Sequence, residues 1–506
     1  MLTMPEVHRA GNGAATSRNS AATSAPTHGS VPGARLGRVS LTLDTQQRLV
    51  VWVAALASFV AFLDGTVVNV ALPAISQELG GGLITQQWMV DAYLITLSAL
   101  ILLAGSVSDA FGRILVMRIG LIGFGIASIA IAAAPDPLFL IIARAVQGAA
   151  GAFLVPSSLA LITSTIRGPL QGKAIGMWTA LTTSAMVAGP LIGGLFVDFL
   201  SWRFVFLINV VPIAITLWLL TRLTAHDVRK PGTRIDWIGG AMCTFGLGAA
   251  VYALIEQPNL GWAAPGIWIP LVAGILLFGA FLVRQRTTAA PILPLGLFKI
   301  RNFWTGNVAT FFIYGALSLN GFVVAVYLQQ GAGLPATLAG LASIPTTILM
   351  ILLSSRMGAL AGKWGPRLFM TVGPILMAIG ALLLLTVNED FDYWTQVLPS
   401  MIVFGLGLVT TVSPLTAAIL GAVDTDRSGI ASAVNNAVAR VAGLLVIAML
   451  AAIVGGSLDL AGFYRAAIVT ATMMAIGALV SFAGIRNGVP RPGASPSSDA
   501  AAPPAS

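Results

Sequence analysis

GKAIGMWTALTTSAMVAGPLIGG, residues 172–194, carries far more glycine beside a proline than an apolar helix of membrane length ordinarily does. On a helix turning about 100° per residue, Ala185, Gly189 and Gly193 fall on one narrow stripe, so a neighbouring helix can approach backbone to backbone. Pro190 lacks an N–H and crowds the carbonyl of Met186, which predicts a bend in that turn. Gly176 near the start and Gly194 at the end complete the glycine pattern. In isolation the stretch is equally a pivot or a plain small-residue packing face with a proline kink.

The rest of the chain supplies the context. Of 506 residues 57% are hydrophobic and 9% charged, against about 25% charged in soluble domains. A transmembrane helix needs about 20 mostly apolar residues, and reading the chain in such windows gives fourteen candidate spans, the first over 50–72 and the fifth over 172–198. The fold class is therefore an all-α integral membrane protein. Lys and Arg accumulate on the cytoplasmic side of short loops. Of the 27 basic residues, 23 fall in the two tails and every second connection, while Arg203 and Arg465 lie opposite and Arg144 and Arg440 lie inside helices. That asymmetry predicts an even number of spans with both termini cytoplasmic. The net charge of +9 then reports membrane orientation, and no nucleic acid partner is implied.

Residues 1–46 and 487–506 are rich in Ala, Ser, Gly and Pro and read as disordered cytoplasmic tails. No apolar core precedes a cleavage site near the start, so no signal peptide is expected. Arg far outnumbers Lys and Ala and Gly abound, a bias of high-GC bacterial genomes that points to a plasma membrane. The single Cys243 sits in an apolar helix and makes no internal disulfide.

Polar residues at membrane depth mark the candidate chemistry. Helix 1 contains FVAFLDGTVVNVALPAI, placing Asp64 midway and Asn69 five residues on. A carboxylate there costs about 2.5–3.5 kcal/mol on insertion scales and normally faces a wet interior or a partner. Helix 2 adds Trp88, Asp91 and Tyr93, and helix 4, LIIARAVQGAAGAFLVPSSLALI, buries Arg144 with Gln147. A guanidinium cannot discard its proton, so Arg144 needs a partner, and Asp64 or Asp91 can serve. A fixed positive charge beside an acid keeps it ionised, and withdrawing that charge lets the acid take a proton. Asp64, Arg144 and Asp91 are thus the candidate proton-coupling groups; the plainer reading is a static ion pair. Asn69, Trp88, Tyr93, Gln147, Asn209, Asn320, Asn435, Asn436 and Arg440 are the candidates for a substrate cavity. Glu256, at the outer end of helix 7, reads as an interfacial residue.

The connection between helices 2 and 3 runs Gly105-Ser-Val-Ser-Asp109-Ala-Phe-Gly112-Arg113. Asp109 can accept from exposed N–H groups at a helix start, and Gly112 permits the turn. The same glycine interval returns 253 residues later at Gly358 and Gly365, followed by Arg367, with Gly362 where Asp109 stood. Gly189 likewise has a copy in Gly443. Such repetition on one membrane side indicates duplicated six-helix halves. The expected organisation is a bundle over 47–223, two inserted helices with basic loops around Arg229, Lys230 and Arg234 over 224–302, and a second bundle over 303–486.

LDGTVVNVALP at 63–73, GSVSDAFGR at 105–113, ARAVQGAAGA at 143–152 and AGPLIGG at 188–194 together resemble the fourteen-span drug:proton antiporters of the major facilitator superfamily. WRFVFLIN at 202–209 and DWIGG at 236–240 resemble the same group. The resemblance implies that the loop with Gly105, Asp109, Gly112 and Arg113 gates the cytoplasmic side, that Arg144 and the helix 1 acid take part in proton coupling, and that the Gly-Pro motif marks antiporters. The chain departs at Ala185, a usual glycine, and at Ala110, often basic. Helices 9–14 carry no mid-helix carboxylate, which speaks against specialised handling of doubly charged cations.

The expected function is a secondary exporter whose two halves rock about a midplane cavity, exchanging inward-moving protons for an amphipathic, cationic or neutral organic compound. It needs no cofactor beyond the proton gradient, sits as a monomer in the lipid bilayer and is not an enzyme. An uptake symporter or an exporter dedicated to one endogenous metabolite are the alternatives. The nearest approach to a phosphate loop, Gly168 to Ala174, is one residue short and lacks the Ser or Thr that holds magnesium. His8, His28 and His226 lie in a tail or a loop, so no His-based catalytic cluster is expected in the bundle.

Overall fold

The computed structural model describes residues 43–166, 169–224, 234–424 and 427–487. The expectations for 1–42 and 488–506, for Gly168, and for His8, His28, His226, Arg229 and Lys230 lie outside the described residues. Among those described, the chain is helical without a β-strand.

In chain order the long helices are α1 (Thr45–Leu79), α2 (Gly82–Phe111), α3 (Arg113–Ala132), α4 (Pro137–Thr165), α5 (Pro169–Phe199), α6 (Phe204–Thr221), α7 (Trp237–Leu260) and α8 (Pro265–Thr287). They continue with α9 (Arg301–Gln330), α10 (Ala336–Trp364), α11 (Pro366–Thr386), α12 (Tyr393–Leu420), α13 (Gly429–Ala448) and α14 (Leu460–Gly484). Thirteen of these, all but α5, are long and apolar enough over described residues to cross a membrane. The helices alternate in direction, so α1 begins and α14 finishes at the same end of the bundle, called here the terminal end.

Local signals explain the boundaries. Asp44 caps α1: its side chain accepts from Gln47 N at 2.7 Å while Gln47 Oε1 accepts from Asp44 N at 3.1 Å. The helix therefore starts at Thr45, five residues before the expected apolar span, and the tail expected over 1–46 does not reach 46. With 35 residues α1 is about 52 Å long at 1.5 Å per residue. Hydrophobicity marked only the part that meets lipid.

Two glycines with positive φ turn the chain where the repeat predicted it. Gly112 (φ 105°) separates α2 from α3, and Gly365 (φ 84°) separates α10 from α11. The glycines 189 and 443 pack in like manner. A Cβ at Gly189 would lie 2.1 Å from Thr66 Oγ1 on α1, and one at Gly443 2.4 Å from Ser318 Oγ on α9. Each half thus seats its glycine-bearing helix on a small hydroxyl residue of the half's first helix. α5 runs unbroken through Pro190.

The halves meet at the end opposite the termini. There a Cβ at Gly194 of α5 would come 2.4 Å from Thr337 Cα, and one at Gly340 of α10 2.3 Å from Pro190 O. The Asp198 carboxylate, at the end of α5, accepts from Ala336 N (2.9 Å) and Thr337 N (2.7 Å), capping α10 across the division. Gly176 and Ala180 lie on the same face of α5 as Gly194, counting 100° per residue, yet both are exposed and a Cβ at Gly176 would touch nothing. α5 and α10 are therefore in backbone contact at the far end, whereas the same face of α5 is exposed toward the terminal end.

α7 and α8 pack together outside the bundle. Trp88 Nε1 on α2 donates to Glu256 Oε1 on α7 at 2.9 Å. At the terminal end Asp236 caps α7 through Gly239 N (2.9 Å) and accepts from Arg284 Nε (2.7 Å) and Gln285 Nε2 (3.0 Å) on α8. Burial would raise the Asp236 carboxyl, but these donors outweigh it and hold it below the usual carboxylate range.

Candidate functional site

The centre of the first half is a charged cluster built from five helices. Small residues let it form. A Cβ at Gly148 would come 2.2 Å from Tyr93 O, so α4 lies against the backbone of α2, and Thr96 Oγ1 donates to Ala145 O at 2.7 Å. Arg144, one turn before Gly148, then reaches across. Its Nε donates to Met89 O at 3.1 Å, its Nη1 donates to Asp64 Oδ2 on α1 at 2.7 Å, and its guanidinium carbon lies 4.3 Å from the centre of the Tyr93 ring.

The other carboxylate oxygen of Asp64 accepts from Gln147 Nε2 at 3.0 Å and from Asn209 Nδ2 at 3.1 Å. Ser128 Oγ on α3 accepts from the same two amides at 2.9 and 3.4 Å. Arg144 is 2% exposed and Asp64 is fully buried. An ion pair so enclosed depends on each member keeping its partner, because either charge alone is stranded in a low-dielectric interior. Such a cluster is neutral overall, one carboxylate answered by one guanidinium.

Of the two acids expected to serve Arg144, Asp64 does so and Asp91 does not. Gln147 and Asn209, expected to line a substrate cavity, are fully enclosed and hydrogen bond to Asp64. Tyr93 is likewise buried beneath Arg144, and Trp88 faces α7. Ser128 had no signal in the sequence, being one hydroxyl in an apolar helix.

The remaining polar candidates are dispersed. Asn435 Nδ2 donates to Thr310 Oγ1 at 2.8 Å, joining α13 to α9. Asn436 is exposed and donates to Ser432 O, Asn69 is half-buried and Asn320 buried. Arg440 has its Nε buried without a hydrogen bond. At the predicted gate, Arg113 Nη2 pairs with Asp109 Oδ1 at 3.2 Å, and Arg113 Nη1 donates to Ala160 O on α4 at 2.9 Å. Gly105 is exposed. In the glycine motif, Ala185 is buried and Gly193 meets Val67 O, where a Cβ would stand at 3.0 Å. Asp198, which joins the halves, went unnoticed because it sits at a helix end where charge is unremarkable.

An all-helical bundle with thirteen helices long and apolar enough to cross a membrane, and an ion pair enclosed among the first of them, has the architecture of a multi-pass membrane transporter. The family profile described as Major Facilitator Superfamily matches residues 54–447, and the chain belongs to that family. It is 35% identical to the puromycin resistance protein of Streptomyces alboniger, over 78% of this chain and 79% of that one. It is 33% identical to the methylenomycin A resistance protein of Bacillus subtilis (79% and 86%) and 30% identical to a cephamycin export protein of Amycolatopsis lactamdurans (84% and 88%). In fold it is similar to a bacterial homologue of the lysosomal transporter Spinster, with TM-score 0.64 and 16% identity over 87% of this chain and 97% of that one. A D-xylose–proton symporter gives TM-score 0.64 and 15% identity over 87% and 98%.

Proposed function

We propose that the protein is an efflux transporter for amphipathic organic compounds of the antibiotic class, driven by proton antiport through alternating access. The observation that carries the reading is the Asp64–Arg144 pair, enclosed at 2.7 Å among the first helices. Relatives named for resistance to or export of antibiotics support the direction of transport. In this reading α5 is the fourteenth span, since its 31 residues give about 46 Å of helix, and both termini are cytoplasmic, as the distribution of Lys and Arg requires. The exposed face of α5 toward the terminal end then lines an opening to the cytoplasm, where substrate enters. The halves over 47–223 and 303–486 rock against each other, with 224–302 as an insertion, in the plasma membrane as a monomer.

In one state of the cycle Asp64 and Arg144 are paired. When rocking draws α4 from α1, Asp64 takes a proton from the outer side and later releases it inward as the pair reforms. A membrane potential contributes about 2.3 kcal/mol per charge per 100 mV, enough for several-fold expulsion. Asn69, Asn320, Asn435, Asn436 and Arg440 are the proposed cavity residues, and the Asp109–Arg113 connection is the proposed gate.

The experiment is transport in everted vesicles with a panel of amphipathic antibiotics. Accumulation inside the vesicles on acidifying the lumen, with proton release on adding substrate, is expected. Accumulation driven by a proton gradient of the opposite sign identifies a symporter and overturns the reading.

A further inference from the structure

Asp91 lies on α2, fully buried, and neither oxygen of its side chain has a hydrogen-bond partner. Gln87 and Ser98, four residues before and seven after, share its stripe on the helix, and each is buried with an oxygen left without a partner. Gln87 shows what the stripe faces. Its Nε2 donates to Ile447 O (2.7 Å) and Ala448 O (3.3 Å) on α13, in the other half. One turn beyond Asp91, Ile95 packs in a cluster with Leu444 and Ala448 of α13 and with Val251 and Ile255 of α7. The carboxyl is thus shut into the seam between the halves, and the inserted hairpin covers that seam from a third side.

The charged and titratable groups nearest Asp91 on the surrounding helices have other partners or stand apart from it. Arg144 on α4 and Asp64 on α1 are committed to each other. Tyr93 on α2 stacks under Arg144, and Arg440 on α13 lies near enough to Tyr93 to act on it. On α7, Glu256 accepts from Trp88, Tyr252 packs on Trp88, and Cys243 lies in the apolar cluster. Arg113 and Arg118 stand at the terminal end of α3. None of them hydrogen bonds to Asp91.

A carboxylate anion withdrawn from water with neither cation nor donor is not sustained in a protein interior, whereas a neutral carboxyl in the same place leaves one O–H and weak acceptors unmatched. We propose that Asp91 is a second proton-carrying position, separate from the Asp64–Arg144 pair. Asp91 takes a proton from the aqueous phase while α2 and α13 stand apart, and the seam closes over the neutral acid. Ionised Asp91 holds the seam open. The inference rests on the reading of two halves that part and close, and it adds a second proton to the cycle.

The test uses the full-length protein in nanodiscs, with no drug present, carrying Cys243→Ala and Ile447→Cys so that a water-soluble maleimide reports opening of the seam. Labelling rates are followed from acid to alkaline pH with Asp91 intact and with Asp91→Asn. Their ratio removes the pH dependence of the thiol itself. With Asp91 intact the ratio rises by about tenfold per pH unit until the seam is fully open, as linkage to one proton requires. Asp91→Glu retains the rise, and Asp91→Leu, which stays apolar at every pH, loses it as Asp91→Asn does. A ratio that stays flat with pH overturns the proposal, whichever of the two uncharged variants is the more stable. Because no substrate is present, failure of the efflux assays leaves this measurement intact, and a flat ratio leaves the efflux reading intact.

Discussion

Asp64→Asn removes the charge that Arg144 faces while keeping the shape of the side chain. In the wild type three donors converge on Asp64: Arg144 at 2.7 Å, Gln147 at 3.0 Å and Asn209 at 3.1 Å. An asparagine offers one carbonyl oxygen, so at least one donor then meets an N–H₂ group. Removing one member of a buried ion pair costs about 3–5 kcal/mol, and burial of both partners argues against discounting that for solvent. A second change, Arg144→Gln, removes the stranded cation and should recover about half or more of the loss. Thermal unfolding in detergent, followed by the intrinsic fluorescence of the tryptophans, measures stability. Everted vesicles with a pH-sensitive dye measure proton release on adding substrate. The single variant is expected to be destabilised and uncoupled, and the double variant to be stabilised yet still uncoupled. Substrate-induced proton release at the wild-type rate in either variant refutes the role of Asp64. A double variant no more stable than the single one refutes the electrostatic account of the cluster.

Other expectations follow from contacts at the two ends. Gly340→Ala sets a methyl group against Pro190 O, where the built Cβ falls at 2.3 Å; it should cost about 1–3 kcal/mol of the closed arrangement and raise reactivity of a thiol placed at Thr337. Asp198→Ala deprives α10 of two cap hydrogen bonds and should cost about 0.5–2 kcal/mol, with the same gain in labelling at the far end. Asp236 is held below the ordinary carboxylate range, so its contribution is present above the unfolded value and is lost as pH falls through the folded one. Limited proteolysis of the α7–α8 pair should therefore accelerate in acid, and Asp236→Asn should flatten that dependence.

Much of the arrangement was legible because lipid imposes it. Apolar windows of about 20 residues can only be helices where no water satisfies the backbone, and glycines with positive φ at 112 and 365 were visible as a repeated interval. The stripe Gly189–Gly193 was legible for the same reason, since only a missing side chain lets two backbones approach. Asp64 and Arg144 announced themselves by the cost of charge at membrane depth. What the residues did not reveal was direction: a polar side chain on a helix facing four neighbours has no sequence pattern that selects among them. Gln147 and Asn209 turned inward to Asp64, Trp88 turned to the inserted hairpin, and Ser128 and Asp198 carried no signal at all.

The all-helical class, the apolar spans and the presence of costly buried charge follow from the chain alone, because each is a consequence of local composition against a bilayer. Which acid meets Arg144, which end of the molecule is shut, and that Asp91 is sealed without a partner at the seam between halves depend on how helices far apart in the chain lean on one another. Those choices are made by close packing of glycine against backbone across helices, a property of pairs of surfaces that no single segment contains.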